Sequence, residues 1–173
     1  MRFLPAALAA AGLSSGLGAI AAPAAAADLT VTVEIPRITS ASYHRPYVAM
    51  WIENGEAANV RTLAVWYDTA LPNAEGKDWL KDMRTWWRKG GRALSLPADG
   101  VSGPTRAPGR QTVRIPAARL ASLPAGQYTL VVEAARELGG REAVRVPFRW
   151  GAANTGQAAG STELGAVSVA VTR

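Results

Sequence analysis

The chain has 173 residues, 19 Lys and Arg against 13 Asp and Glu, a formal charge of +6, and no cysteine. The missing thiols exclude disulfides, thiolate metal sites, thioether-linked haem and cysteine nucleophiles together. The basic excess is arginine scattered from Arg37 to Arg173 without a dense block, which reads as a solvated surface and not as a nucleic-acid interface.

Arg2 precedes an apolar, alanine-rich run over residues 3–22, and Ala25, Ala26 and Ala27 place small residues where a signal peptidase reads. Residues 1–27 are therefore expected to be a cleaved export signal, and residues 28–173 a single periplasmic domain large enough to bury a core. Loss of Arg2 lowers the charge to about +5. An acidic partner protein or peripheral contact with an anionic membrane surface fits that balance; outside the cytoplasm nucleic acid does not.

Residues 29–35 (LTVTVEI) alternate apolar and polar, the period of a half-buried strand, and Pro36 ends it. Residues 47–53 (YVAMWIE) and 61–67 (RTLAVWY) read as two further strands, paired through a turn at Asn54-Gly55. Between Gly76 and Gly90 the period changes. Trp79, Leu80, Met83, Trp86 and Trp87 recur at helical spacing, with lysines, arginines and aspartates on the other face, so one amphipathic helix is predicted there. Residues 111–115, 127–134 and 143–150 are again strand-like; Leu138-Gly139-Gly140-Arg141 centres a hairpin, and Pro147 marks an edge strand or a bulge. Residues 151–160 read as a loose loop and 164–172 as the closing strand. Short strands separated by turns predict a mostly β fold, an immunoglobulin-like antiparallel β-sandwich with one helix covering an edge or end.

The particular stretch is DGVSGPTRAPG, residues 99–109. Its aspartate, glycines and prolines disfavour regular elements, so it reads as an exposed loop whose hydroxyls face water. Within it, Asp99, Gly100, Ser102, Gly103 and Thr105 resemble the acceptor sequence at which FAD:protein FMN transferases attach flavin, as in the flavin-bearing subunits of sodium-translocating NADH:quinone reductases. Pro104 stands where alanine is usual. The resemblance implies covalent FMN, joined through its phosphate to the hydroxyl of Thr105, with Asp99 orienting the acceptor or helping the metal. Ser102 is the competing hydroxyl, and glycines let a transferase grip the backbone from outside. Arg106 and Arg110, beside the loop, are candidates to stabilise a phosphate or a reduced ring. One of Trp79, Trp86 and Trp87 is a candidate to stack on the ring, Trp86 and Trp87 foremost; their structural alternative is core.

Together, HRPYVAMWIEN, WLKDMRTWW, the DGVSGPTRAPG loop and YTLVVEAARELGGRE resemble a family of predicted periplasmic proteins of unknown function, over roughly residues 29–150. Members are typically encoded beside PepSY-type membrane reductases, flavin transferases and TonB-dependent receptors. The resemblance implies extracytoplasmic electron transfer connected with iron acquisition, by a redox carrier more than a turnover enzyme. Its expected partners are a flavin transferase and a PepSY-type reductase. The alternative is a cofactor-free immunoglobulin-like module that docks on a receptor or membrane protein.

His44 is the single imidazole, so a closed zinc site and a catalytic triad lack ligands and base; it reads as a surface or turn residue, with a haem or metal ligand as the alternative. Glu133, Glu137 and Glu142 are expected to pair with Arg136 and Arg141 in exposed contacts of little weight. Met50 and Met83 fall on apolar faces and read as core.

Overall fold

The alternating runs become strands of two packed sheets. The computed structural model describes residues 27–172, so the expected export signal, Ala27 apart, lies outside the described residues. Among the described residues the strands are β1 Asp28–Ile35, β2 Tyr47–Glu53, β3 Asn59–Tyr67, β4 Ser102–Pro104, β5 Gly109–Ile115, β6 Gly126–Ala135, β7 Arg141–Trp150, β8 Asn154–Ala159 and β9 Ala166–Thr172. One sheet has the order β5-β1-β9-β8 and the other β4-β3-β2-β6-β7. The result is the predicted β-sandwich, antiparallel except where β4 runs parallel to β3.

The inner faces of both sheets supply one core. Val31, Val33, Val167 and Val169 from one sheet meet Met50, Ile52, Leu130, Val132 and Val146 from the other. Each such side chain contributes about 1.5–3 kcal/mol on burial. β2 is covered on both faces, which is why YVAMWIE is nearly all apolar: Val48, Met50 and Ile52 point inward, while Ala49 and Trp51 point to a second cluster on the outer face. Met50 and Met83 are fully buried, as expected.

Two expectations change. Residues 151–160 are not all loop, because β8 pairs antiparallel with β9 along Asn154↔Val171 to Ala159↔Ala166. Its small residues serve a close approach: a Cβ on Gly156 would lie 2.4 Å from the carbonyl oxygen of Pro147 on β7, which is indeed an edge strand.

The predicted helix over residues 76–90 is also broken. Short 3-10 turns at Pro72–Lys77 and Leu80–Asp82 precede a one-turn α-helix, α1, at Arg84–Arg88. Met83, at φ −77° and ψ 70°, leaves the helical region. A new start is fixed there from outside the segment: Glu133 on β6 accepts the N–H groups of Thr85 and Trp86 at 3.1 and 2.7 Å. The apolar spacing is still used, since Leu80, Met83 and Trp86 pack on Trp51, Val65, Tyr67 and Val131 as a third layer.

Two buried carboxylates bind this cover to the sheet. Glu133 is also paired with Arg141 at 2.7 Å, so the expected Glu133–Arg141 contact is a buried anchor and not a solvated pair. Glu53, fully buried at the end of β2, accepts from Trp51 Nε1 at 2.8 Å, Lys89 Nζ at 2.7 Å and Arg145 Nη2. Burial works against the charge of Glu53, but the hydrogen bonds from Arg145, Lys89 and Trp51 outweigh it and hold the carboxyl below its usual range.

Candidate functional site

At one end of the five-stranded sheet, β2 begins while β3, β4 and β6 finish, and the antiparallel register lines these ends up: Tyr47↔Ala135, Val48↔Trp66 and Tyr67↔Pro104. The chain leaving each strand builds a cleft of about 670 Å³. Its walls include Tyr43, His44 and Tyr47 ahead of and on β2, Asp68 after β3, Thr105 after β4, and Arg136 and Glu137 after β6. Trp79 and Asp82 close it from the helical cover. That volume lies in the range that small-molecule and cofactor sites occupy.

Thr105 is the first residue past β4, the short strand that carries Ser102, Gly103 and Pro104 of the acceptor-like motif. Its N–H donates to the carbonyl oxygen of Tyr67 at 3.1 Å, which fixes its backbone at the sheet end. Thr105 is half-buried, and its hydroxyl has no partner among the described residues. Ser102 differs. Its Oγ accepts the N–H of Ala98 at 2.9 Å and closes the preceding turn. Of the two candidate hydroxyls, Thr105 is thus the uncommitted one.

The motif is not the free loop that its glycines and prolines predict. Ser102–Pro104 is an edge strand laid parallel on β3, because the 98–101 turn is clamped against the sheet. Arg119 does the clamping: its Nη1 and Nη2 donate to the carbonyl oxygens of Gly100 at 2.6 Å and Leu63 at 3.0 Å. Gly100 adopts φ +68°, where a side chain is strained, and Gly103 lies against the Trp66 indole, 3.3 Å from where a Cβ would sit. Asp99 faces a separate hollow of about 460 Å³ with Arg61, Lys89 and Arg119, so it does not share the cleft of Thr105. Arg106 lies over the Trp66 ring, 5.4 Å from its centroid. Arg110 lines a third hollow with Glu34 and Gln157. The cations lining the cleft are instead Arg45 and Arg136.

The tryptophans sort in the same way. Trp86 is fully buried, with its Nε1 donating to Thr62 Oγ1 at 3.2 Å, so its ring faces are closed to any ligand. Trp87 is half-buried against the same outer-face cluster and does not line the cleft. Trp79, weighed beside them in the sequence, is half exposed and does line it.

Several cleft residues carried no motif. His44 Nδ1 lies 3.3 Å from Glu137 Oε2, so the lone histidine is part of the site wall and paired with a carboxylate that is distant in sequence. Tyr47 meets Tyr67 edge-on with ring centroids 6.4 Å apart, and burial raises its phenol above the ordinary value. Arg136 holds Glu163 through two nitrogens, Nε to Oε2 at 2.8 Å and Nη2 to Oε1 at 3.0 Å, and not Glu137 or Glu142 as its position suggests. Its Nη1 and the hydroxyl of Tyr43 are buried with no hydrogen-bond partner. Each orphaned donor costs roughly 1–3 kcal/mol, and such groups call for an explanation. The signal that could have found these residues is polar or aromatic clusters placed directly at strand ends: Tyr43-His44-Arg45, Asp68, and Arg136-Glu137.

Against known proteins, the family model described as predicted periplasmic protein (DUF2271) matches residues 28–166. No curated protein and no solved structure shows a match to the chain.

Proposed function

The chain belongs to the DUF2271 family of predicted periplasmic proteins, and on that premise we propose that it is a periplasmic electron carrier bearing covalent FMN on Thr105. The observation that carries this reading is the uncommitted Thr105 hydroxyl on the wall of a cleft large enough for a tricyclic ring. The residues fit the group. Thr105 offers the oxygen, Trp79 a half-exposed indole face, and Tyr43 and Arg136 buried donors without partners.

Attachment would be carried out by an FAD:protein FMN transferase. The Thr105 Oγ bonds to the phosphorus of the FMN half of FAD, the diphosphate anhydride breaks, AMP leaves, and the hydroxyl proton is released. The bound flavin would supply one- and two-electron transfer between a membrane reductase of PepSY type and an external acceptor such as ferric iron. The chain's own part is to hold the phosphate at the sheet end, cover one face of the ring and exclude water from part of its edge.

Intact mass of the mature protein, made in the periplasm with a coexpressed transferase, tests this. The wild type gains one FMN residue and Thr105→Val gains none. An FMN adduct retained by Thr105→Val contradicts the assignment. The half-exposed Trp79 also favours a second reading, a cofactor-free docking module that holds a partner's side chain in the cleft. That reading predicts an unmodified, colourless protein in a host that flavinylates a control.

A further inference from the structure

Arg136 is held in one plane. Glu163 takes two of its nitrogens and also accepts the N–H of Gly140 at 2.7 Å. The backbone of Gly139 passes so close that a Cβ there would lie 2.4 Å from Arg136 Cζ, and the Tyr43 ring stacks on the guanidinium at 5.9 Å from its centroid. The third nitrogen, Nη1, therefore cannot turn to find a partner of its own. Only 8% of the Arg136 side chain is exposed, and the second orphan, Tyr43 OH, belongs to the same cleft wall. Two buried donors without acceptors, on residues of the cleft wall, make an incomplete site that a ligand oxygen would complete.

We propose that Arg136 Nη1 and Tyr43 OH form the recognition end of the cleft and donate to the oxygen-bearing edge of the flavin ring tethered at Thr105. This rests on the reading of Thr105 as the FMN carrier and assigns the ring its orientation. Both atoms are closed to solvent, so the Tyr43 ring, which covers the guanidinium from residues 36–46 between β1 and β2, must turn aside when the flavin enters. The paired carbonyls of the ring's pyrimidine portion match two donors, and a cation at that edge favours the ring that carries added negative charge. Arg136 and Tyr43 would then set the orientation of the tethered ring and raise the potential at which it accepts electrons.

The test uses the flavinylated wild type, Tyr43→Phe and Arg136→Lys, with intact mass, flavin fluorescence and midpoint potential read on each. Tyr43→Phe removes a hydroxyl that makes no bond in the fold, so its melting temperature without flavin should equal or exceed that of the wild type. Arg136→Lys keeps a charge for Glu163 but loses the fixed third donor. Both variants should carry FMN on Thr105, with brighter flavin fluorescence and a lower midpoint potential. The preference for the reduced ring should fall roughly tenfold, as expected for loss of a charge-assisted hydrogen bond. Flavinylated variants with wild-type fluorescence and potential overturn this inference alone. Absence of FMN from every protein, wild type included, overturns it together with the Thr105 assignment.

Discussion

Glu142 on β7 accepts the N–H groups of Ser161, Thr162, Glu163 and Leu164, at 2.7 to 3.1 Å, so one carboxylate organises the whole turn between β8 and β9. The turn answers in kind, for Glu163 reaches back to Arg136 and to the N–H of Gly140. The two glutamates thus latch the sheets together beside the cleft. Burial opposes the charge of Glu142, yet the N–H groups of Ser161, Leu164 and Thr162 bring its carboxyl from the usual 4.5 down to about 2.

A depressed carboxyl stabilises the folded state above its unfolded pKa and ceases to do so as pH falls through the folded value. Stability should therefore decline between about pH 4.5 and about pH 2. Allowing for screening of a partly exposed group, about 2 kcal/mol is at stake. Glu142→Gln should be less stable at neutral pH and should lose this part of the acid dependence, as read from urea unfolding at a series of pH values.

Glu133 takes the place of a helix's own first turn. Glu133→Ala removes the acceptor for Thr85 and Trp86 and the partner of Arg141. The expected cost is about 3 kcal/mol, since buried donors and a cation are left unpaired. Near-ultraviolet dichroism should show loss of the fixed environment of Trp86, which is otherwise sealed in the outer-face cluster.

Gly76 supports the cleft from below. A Cβ there would lie 1.9 Å from the carbonyl oxygen of Asp68, a cleft residue. Because the obstacle is backbone, it has no rotamer with which to give way. Gly76→Ala should destabilise by about 2 kcal/mol or more and lower the midpoint of thermal unfolding.

Ser102 and Thr105 should respond differently to loss of their hydroxyls. Ser102→Ala breaks the bond from Ala98 N–H and should cost about 1 kcal/mol while leaving FMN attachment intact. The same two readouts on Thr105→Val should reverse: little change in stability and no attachment.

The strands were legible because each has one face in the core and the other toward water, so Val31, Val33 and Ile35 alternate with Thr30, Thr32 and Glu34. β8 was not, because Gly156 and its small neighbours look like loop composition until Pro147 is seen against them. The cover was legible as an apolar period but not as a broken helix, since the break is capped by Glu133, which lies 47 residues beyond Trp86. The motif points to Thr105, but the cleft around it comes from the ends of four strands whose adjacency exists only in the sheet register. Helical spacing alone does not separate Trp79, Trp86 and Trp87; the structure does, leaving Trp79 half exposed and burying Trp86.

Trypsin cleavage after Arg92 and Arg106 releases residues 93–106, a peptide that holds both Ser102 and Thr105. Fragmentation mass spectrometry of that peptide, from protein exported together with an FAD:protein FMN transferase, reads directly whether Thr105 carries the flavin. An FMN phosphoester is expected on Thr105 and on no other residue of the peptide. FMN on Ser102, or an unmodified peptide where a control protein is flavinylated, would contradict that expectation.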